Sequence, residues 1–157
     1  MLRDVLARIP KKPYPEHIPD RCLAFLRDRA IPGDFVSMLR ECAYAGHIDI
    51  GHVAFHRVAE LAERNEEEET RPCIENGFLV VGSGLNGDLV ALELDSGRMA
   101  FIAHDDLWEK SYERFDDCVV RTPLSFHEFW DAAASDNTFP RDCRDAEERW
   151  LPAGNRS

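Results

Sequence analysis

The chain has 157 residues, of which 44% are hydrophobic and 31% charged, and its net charge is −11. A domain of this size buries about 70% of the surface its unfolded chain exposes, so the composition excludes a disordered chain and a small disulfide scaffold. The excess of 30 acidic over 19 basic residues repels phosphate, which argues against duplex DNA or RNA as a direct partner and for a basic one.

The charge is uneven. The first 30 residues hold 7 basic and 4 acidic side chains, and all the excess of negative charge lies beyond them. The apolar runs, such as Phe78 to Val81 and Leu89 to Leu92, are far shorter than a membrane-spanning helix. The opening MLRDVLARIPKKP is interrupted by Arg3, Asp4 and Arg8, so it lacks the apolar stretch of a signal peptide. A cytoplasmic protein that does not insert into membranes is expected. The five cysteines stand at 22, 42, 73, 118 and 143. None forms a C-x-x-C pair, so free thiols are expected, most of them buried as small hydrophobes.

In chain order, residues 1–19 form a proline-rich arm. Pro10, Pro13, Pro15 and Pro19 disfavour regular structure, while Val5, Leu6 and Ile9 could dock on the body. Asp20 is placed to cap a short helix with Cys22, Phe25 and Leu26 on its buried stripe. Pro32 fits the first position of a second helix, with Phe35, Met38, Leu39 and Cys42 inward and Gly46 as its stop. Ile48 and Ile50 alternate as a short strand. From Phe55 onward, Val58, Leu61 and Ala62 fit one helical face, which dissolves at Asn65 and the run Glu66 to Glu69. Three strands are expected over Phe78–Val81, Leu89–Leu94 and Met99–His104, with a tight turn at Asp95-Ser96-Gly97. A fourth is expected at Cys118–Arg121 after an irregular charged stretch. Ser125 and Glu128 form S-x-x-E, a helix-opening capping box, flanked by Leu124 and Phe129 at the staple positions. Phe126, Phe129, Trp130 and Ala133 then face the core. Residues 135–157 form a polar extension in which Asp145–Trp150 could make one or two helical turns.

Gly82-Ser83-Gly84-Leu85-Asn86-Gly87 matches G-x-G-x-x-G after a strand. A dinucleotide site also needs a helix next, whose N-terminus holds the pyrophosphate. Here Asp88 to Leu94 follows with a period near two, so the segment reads as a connection between antiparallel strands. No Walker lysine follows Gly87, and Val81 breaks G-x-S-x-G. His104, Asp105 and Asp106 cluster at a strand end, where an undetected hydrolase or metal enzyme could place its acids and bases. His52 and His56 would share a face if helical, but no H-E-x-x-H is completed. Around Trp108, Tyr112 and Phe115, acidic residues outnumber Lys110 and Arg114, which suits a basic protein surface better than nucleic acid.

Taken together, "IPGDFVSMLRECAYAG", a short strand, a helix, "FLVVGSGLNGDLVALELDSGRMAFIAHD" and "VVRTPLSFHEFWDAA" resemble the SUKH superfamily of fungal glucan-synthesis regulators and bacterial immunity proteins. The resemblance rests on the helix start Ile31–Phe35, on Gly87-Asp88 leading through Leu94-Asp95 to Gly97, and on the closing helix Ser125–Phe129. It covers residues 20–134. The chain departs from the family at Leu89-Val90, where a polar-aromatic pair is common, and at Ala45-Gly46, where Asn-Gly is common. The resemblance implies a single α+β domain, a mostly antiparallel sheet of about four to six strands with helices packed around it. It also implies a non-enzymatic binding module with no catalytic centre, cofactor or metal, monomeric or weakly dimeric. Its bacterial members neutralise a protein toxin by direct binding. An acidic member could cover the basic cleft of a nuclease-type toxin. The partner surface expected from charge is Glu66, Glu67, Glu68, Glu69, Asp105, Asp106, Glu109, Asp116 and Asp117. A regulatory scaffold without a toxin partner, as among the fungal relatives, is the alternative.

Ser125→Ala removes a cap and is expected to cost about 1 kcal/mol. An unchanged thermal midpoint would refute the cap.

Overall fold

Period-two alternation in the second half of the chain sorts side chains onto the two faces of one sheet. The computed structural model describes residues 2–9 and 12–151. Six strands lie side by side in chain order: β1 (Ile48–Ile50), β2 (Val53–Phe55), β3 (Phe78–Ser83), β4 (Leu89–Glu93), β5 (Arg98–Ile102) and β6 (Val119–Ser125). Each pairs antiparallel with its neighbour in sequence. The result is an α+β single-domain fold with helices around an antiparallel sheet, as expected. No helix of the described residues is long and apolar enough to cross a membrane.

The two faces are covered unequally. Leu79, Val81, Val90, Leu92, Met99, Phe101 and Val120 point into the larger core. Over them lie α1 (Leu2–Ala7), α2 (Asp20–Asp28), α3 (Gly33–Glu41), α4 (Leu61–Glu66), α7 (Phe126–Ser135) and α8 (Cys143–Trp150). Its centre is aromatic, with Trp130 meeting Phe55 and Phe129 edge-on at 5.1 Å. Such T-shaped pairs add to the area term of burial. The opposite residues, Phe78, Val80, Leu89, Ala91, Ala100 and Ile102, form a smaller cluster. It is closed by α5 (Arg71–Glu75), α6 (His104–Glu109) and a 3-10 turn at Phe115–Cys118, through Cys73, Leu107 and Cys118.

The Ser125–Glu128 capping box forms as read: the Ser125 hydroxyl accepts from the Glu128 N–H and the Glu128 carboxylate from the Ser125 N–H. The strand–turn–strand reading of the glycine-rich segment also holds, since β3 and β4 pair antiparallel across it. Other readings are corrected. Pro19, not Asp20, is the N-cap of α2, and Asp20 makes no capping hydrogen bond. Pro32 stands one place before α3, as its N-cap. That helix stops at Glu41 rather than at Gly46, which instead packs against Pro13. Phe55 ends strand β2 instead of opening a helix, because a tight turn at Gly51-His52 folds β2 back on β1. The stretch after His104, expected to be irregular, holds α6 and the 3-10 turn.

The terminal segments also belong to the packed body. Val5 and Leu6 of α1 are buried, and Arg8 pairs with Asp131 of α7 at 2.8 Å. Phe139, Cys143 and Ala146 join the main core from the C-terminal side.

One polar residue completes the sheet from outside it. Strand β2 pairs with β3 only at Ala54–Ser83 and Phe55–Gly82, so the outer backbone of Val80 has no strand beside it. The fully buried Asn65 fills that place: its amide nitrogen donates to the Val80 carbonyl at 2.9 Å and its oxygen accepts from the Val80 N–H at 2.8 Å. An unpaired buried N–H costs about 1–3 kcal/mol. Asn65→Ala is therefore expected to destabilise the protein by about 2–4 kcal/mol in urea denaturation, cavity included. A loss below about 1 kcal/mol would show that Val80 finds another partner.

Candidate functional site

The glycine-rich connection after β3 seats a buried carboxylate. Gly84 passes so close to Arg141 that a Cβ there would lie 2.4 Å from the Arg141 carbonyl oxygen, and the Leu85 N–H donates to that same oxygen at 2.8 Å. Gly87 adopts φ +92°, a conformation that side chains resist, and a Cβ there would meet the His104 ring at 3.7 Å. Asp88 follows with only 7% of its side chain exposed. Its Oδ1 accepts from the His104 N–H at 3.1 Å and from His104 Nδ1 at 2.8 Å, and its Oδ2 accepts from the Cys143 N–H at 2.9 Å. Burial alone would raise the Asp88 carboxyl, but the donors from Cys143, His104 and Asn86 outweigh it and hold it below the ordinary value. Asp88 thus joins the start of β4 to the starts of α6 and α8.

His104 opens α6 rather than ending a strand. Its other ring nitrogen, Nε2, lies 3.0 Å from Asp105 Oδ1. Both nitrogens therefore face carboxylates, and neither faces a hydroxyl or thiol that a general base would activate. Asp106 turns away and accepts from the Ser111 hydroxyl at 3.2 Å. His52 and His56 flank and follow β2 and do not share a helix face. His56 is buried, which pushes its imidazole down to about 4, with Arg64 and His47 adding to the effect. Burial is also the leading cause that raises all five cysteine thiols, Cys73 to about 12 and Cys118 to about 11. A thiol held protonated is a poor nucleophile and a poor metal ligand. Among the described residues, no group of three or more His, Cys, Asp or Glu could hold a metal ion.

Of the acidic residues expected at a partner surface, Asp105, Asp106, Glu109, Asp116 and Asp117 fall on the thin cover of the smaller core, while Glu66 ends α4 over the main core and Glu67 to Glu69 connect α4 to α5. Segment 104–118, which closes the smaller core, holds six acidic against two basic residues. Asp105, Asp106 and Glu109 lie on α6, and Asp116 and Asp117 on the 3-10 turn beside it. After burial, Asp106 and Asp117 are the groups that raise the Cys118 thiol, so the two acidic pieces approach each other. Asp116 is held by Arg121 at 2.9 Å, and Asp117 caps its own turn by accepting from the Arg114 N–H at 2.9 Å. Glu66 faces Arg21 of α2 at 3.6 Å, apart from the α6 group. The carboxylates of Glu67, Glu68, Glu69 and Glu109 have no hydrogen-bond or ion-pair partner among the described residues.

Two large apolar side chains outside the core stand out. Trp108, on α6, is 52% exposed and meets the His104 ring edge-on at 4.9 Å. Leu85, at the tip of the glycine-rich connection, is 64% exposed. The connection reaches His104 through Asp88. Trp108 was legible in the sequence as part of a charged aromatic patch. Leu85 was not, because the exposure of a turn residue depends on the path the turn takes.

Acid titration separates two of these groups. His56 is neutral in the fold down to about pH 4 but takes a proton at 6.5 once unfolded, so stability is expected to fall as pH drops between those values. Asp88, lowered from 3.8, contributes stability above that pH and loses it as pH falls through its folded value. Urea denaturation across pH should show both declines, and His56→Phe should flatten only the first. An unchanged slope in that variant would refute the assignment.

Compared with known proteins, the chain matches no protein-family model, no curated protein and no solved structure.

Proposed function

We propose that the chain is a SUKH-type immunity protein, a non-enzymatic module that neutralises a cognate protein toxin in the bacterial cytoplasm by binding it directly. The observation that carries this reading is the gathering of negative charge around Trp108 on the cover of the smaller core. Interfaces concentrate binding energy in a few buried aromatic anchors ringed by polar residues. Acidic residues around such an anchor steer a basic partner and suppress binding to phosphate backbones. The segment order from Ile31 to Phe129 supports the family, and the α+β architecture agrees with what the family implies. The two carboxylates that occupy the His104 ring support a binding role over a hydrolytic one.

Glu109, Asp105 and Asp106 would supply the charged rim, and Glu67, Glu68 and Glu69 would extend it. A basic nuclease-type toxin is the partner whose chemistry fits, because its cleft must itself attract phosphate.

Co-expression with the product of an adjacent toxin-like gene is expected to restore growth and to yield a co-purified complex that weakens as salt rises. Trp108→Ala should weaken that complex by about 2 kcal/mol or more, roughly 30-fold. Asp105→Lys with Glu109→Lys should slow association and reduce its salt dependence. A complex indifferent to all three substitutions would place the partner elsewhere, and failure to rescue or co-purify would sink the pairing.

A further inference from the structure

On the opposite side of the sheet from the acidic cover, the N-terminal elements flank an open, solvent-facing basic pocket of about 560 Å³. Arg3 of α1, Arg40 of α3 and Lys12 of the connection between α1 and α2 line it, together with Ser37, Tyr44 and one carboxylate, Glu41. The walls thus carry three cations against one anion on a protein whose net charge is −11.

Two of these cations, Arg40 and Lys12, have no carboxylate within 4.0 Å among the described residues. Eleven arginines of the described residues lie within 4.0 Å of a carboxylate. The Arg40 guanidinium has no ion-pair or hydrogen-bond partner among the described residues. Lys12 also lacks a carboxylate: its ammonium donates to the Leu6 carbonyl at 3.0 Å and lies 6.0 Å from the centre of the Tyr44 ring. That contact uses one of its three donors and leaves two. Arg3 reaches Glu41 only at 4.0 Å, with 79% of its side chain exposed. Like charges gathered in a concavity repel one another, and an anion bound between them relieves that repulsion. A planar guanidinium beside an ammonium matches the oxygens of a phosphate group.

We propose that this cavity binds a phosphate-bearing small molecule, with Arg40 and Lys12 as its principal contacts. Arg3 closes over the ligand from α1, and the Tyr44 hydroxyl is a further donor. The acidic cover does not oppose this, because it lies across the sheet and its helix layers, and solvent-exposed charges farther apart than the ~8 Å Debye length are largely screened. The site is independent of the toxin-binding surface, so its failure would leave that reading untouched.

The test is calorimetric titration of the full chain with inorganic pyrophosphate, alongside flotation with phosphatidylcholine vesicles carrying phosphatidic acid. Arg40→Gln and Lys12→Gln are each expected to weaken binding about tenfold or more without moving the thermal midpoint. Arg144→Gln, a cation on α8 paired with Glu148 at 3.6 Å, should bind as the wild type does. Pyrophosphate binding lost in Arg40→Gln supports a soluble phosphate ligand. Flotation alone, lost in the same variant, supports a lipid headgroup. Binding of neither probe, or equal losses in Arg40→Gln and Arg144→Gln, would overturn the proposal.

Discussion

The Asp88 carboxylate is the contact on which the arrangement of this protein turns. A charge removed from water is tolerated only when hydrogen bonds replace the water it has lost. Here two backbone N–H groups and an imidazole supply them, from residues 16 and 55 positions further along the chain. The donors are the starting residues of two helices, so the same bonds satisfy helix ends that would otherwise be left unpaired. The glycines before Asp88 are explained by this role. One lets the backbone pass beneath the Arg141 carbonyl, and the other supplies the turn that brings the carboxylate inward. A segment with the spelling of a phosphate loop therefore holds the protein's own carboxylate instead of a ligand's phosphate.

The position of α6, and with it of Trp108 and the acidic residues beside it, follows from that anchor. The sheet presents a deep aromatic core on one side and a thin cover on the other. Six helices share the main face, where long-range ion pairs such as Arg57–Glu16 and Arg8–Asp131 tie separate elements together. The other face is closed by three short elements whose inward residues are few: Cys73, Leu107 and Cys118. Short helices over small strand residues leave much of their own circumference to solvent, and that circumference is where the acidic residues stand. The basic cavity lies among the N-terminal elements on the other side. The charge asymmetry along the chain thus becomes a charge asymmetry in space.

Much of the fold was legible because its contacts are local. A meander needs only hairpins and short crossovers between neighbours, so strand periods and turn residues carried the order of β3, β4 and β5. The capping box at Ser125 was readable for the same reason, since both partners lie within one helical turn. The misreadings came where tertiary packing overrides local preference. Phe55 ends a three-residue strand because Ile48 pairs with it across a turn, and a strand that short has no period of its own. Asn65 reads as the residue on which a helix frays, yet it is buried because Val80 lacks a strand partner. The helix at His104 was hidden by a charged stretch whose inward side is little more than Leu107.

The sequence by itself determined the antiparallel α+β architecture, the rejection of the glycine-rich segment as a phosphate loop, and the acidic character of the chain beyond its first 30 residues. These depend on periodicity, turn chemistry and net charge, which are properties of neighbours along the chain. Only the tertiary structure decided that Asp88 anchors two distant helices, that Glu66 faces α2 while Asp105 and Glu109 surround Trp108, and that Lys12 and Arg40 meet in one cavity. Those facts depend on which residues distant in sequence become adjacent in space, and that adjacency is set by how the two faces of the sheet are covered.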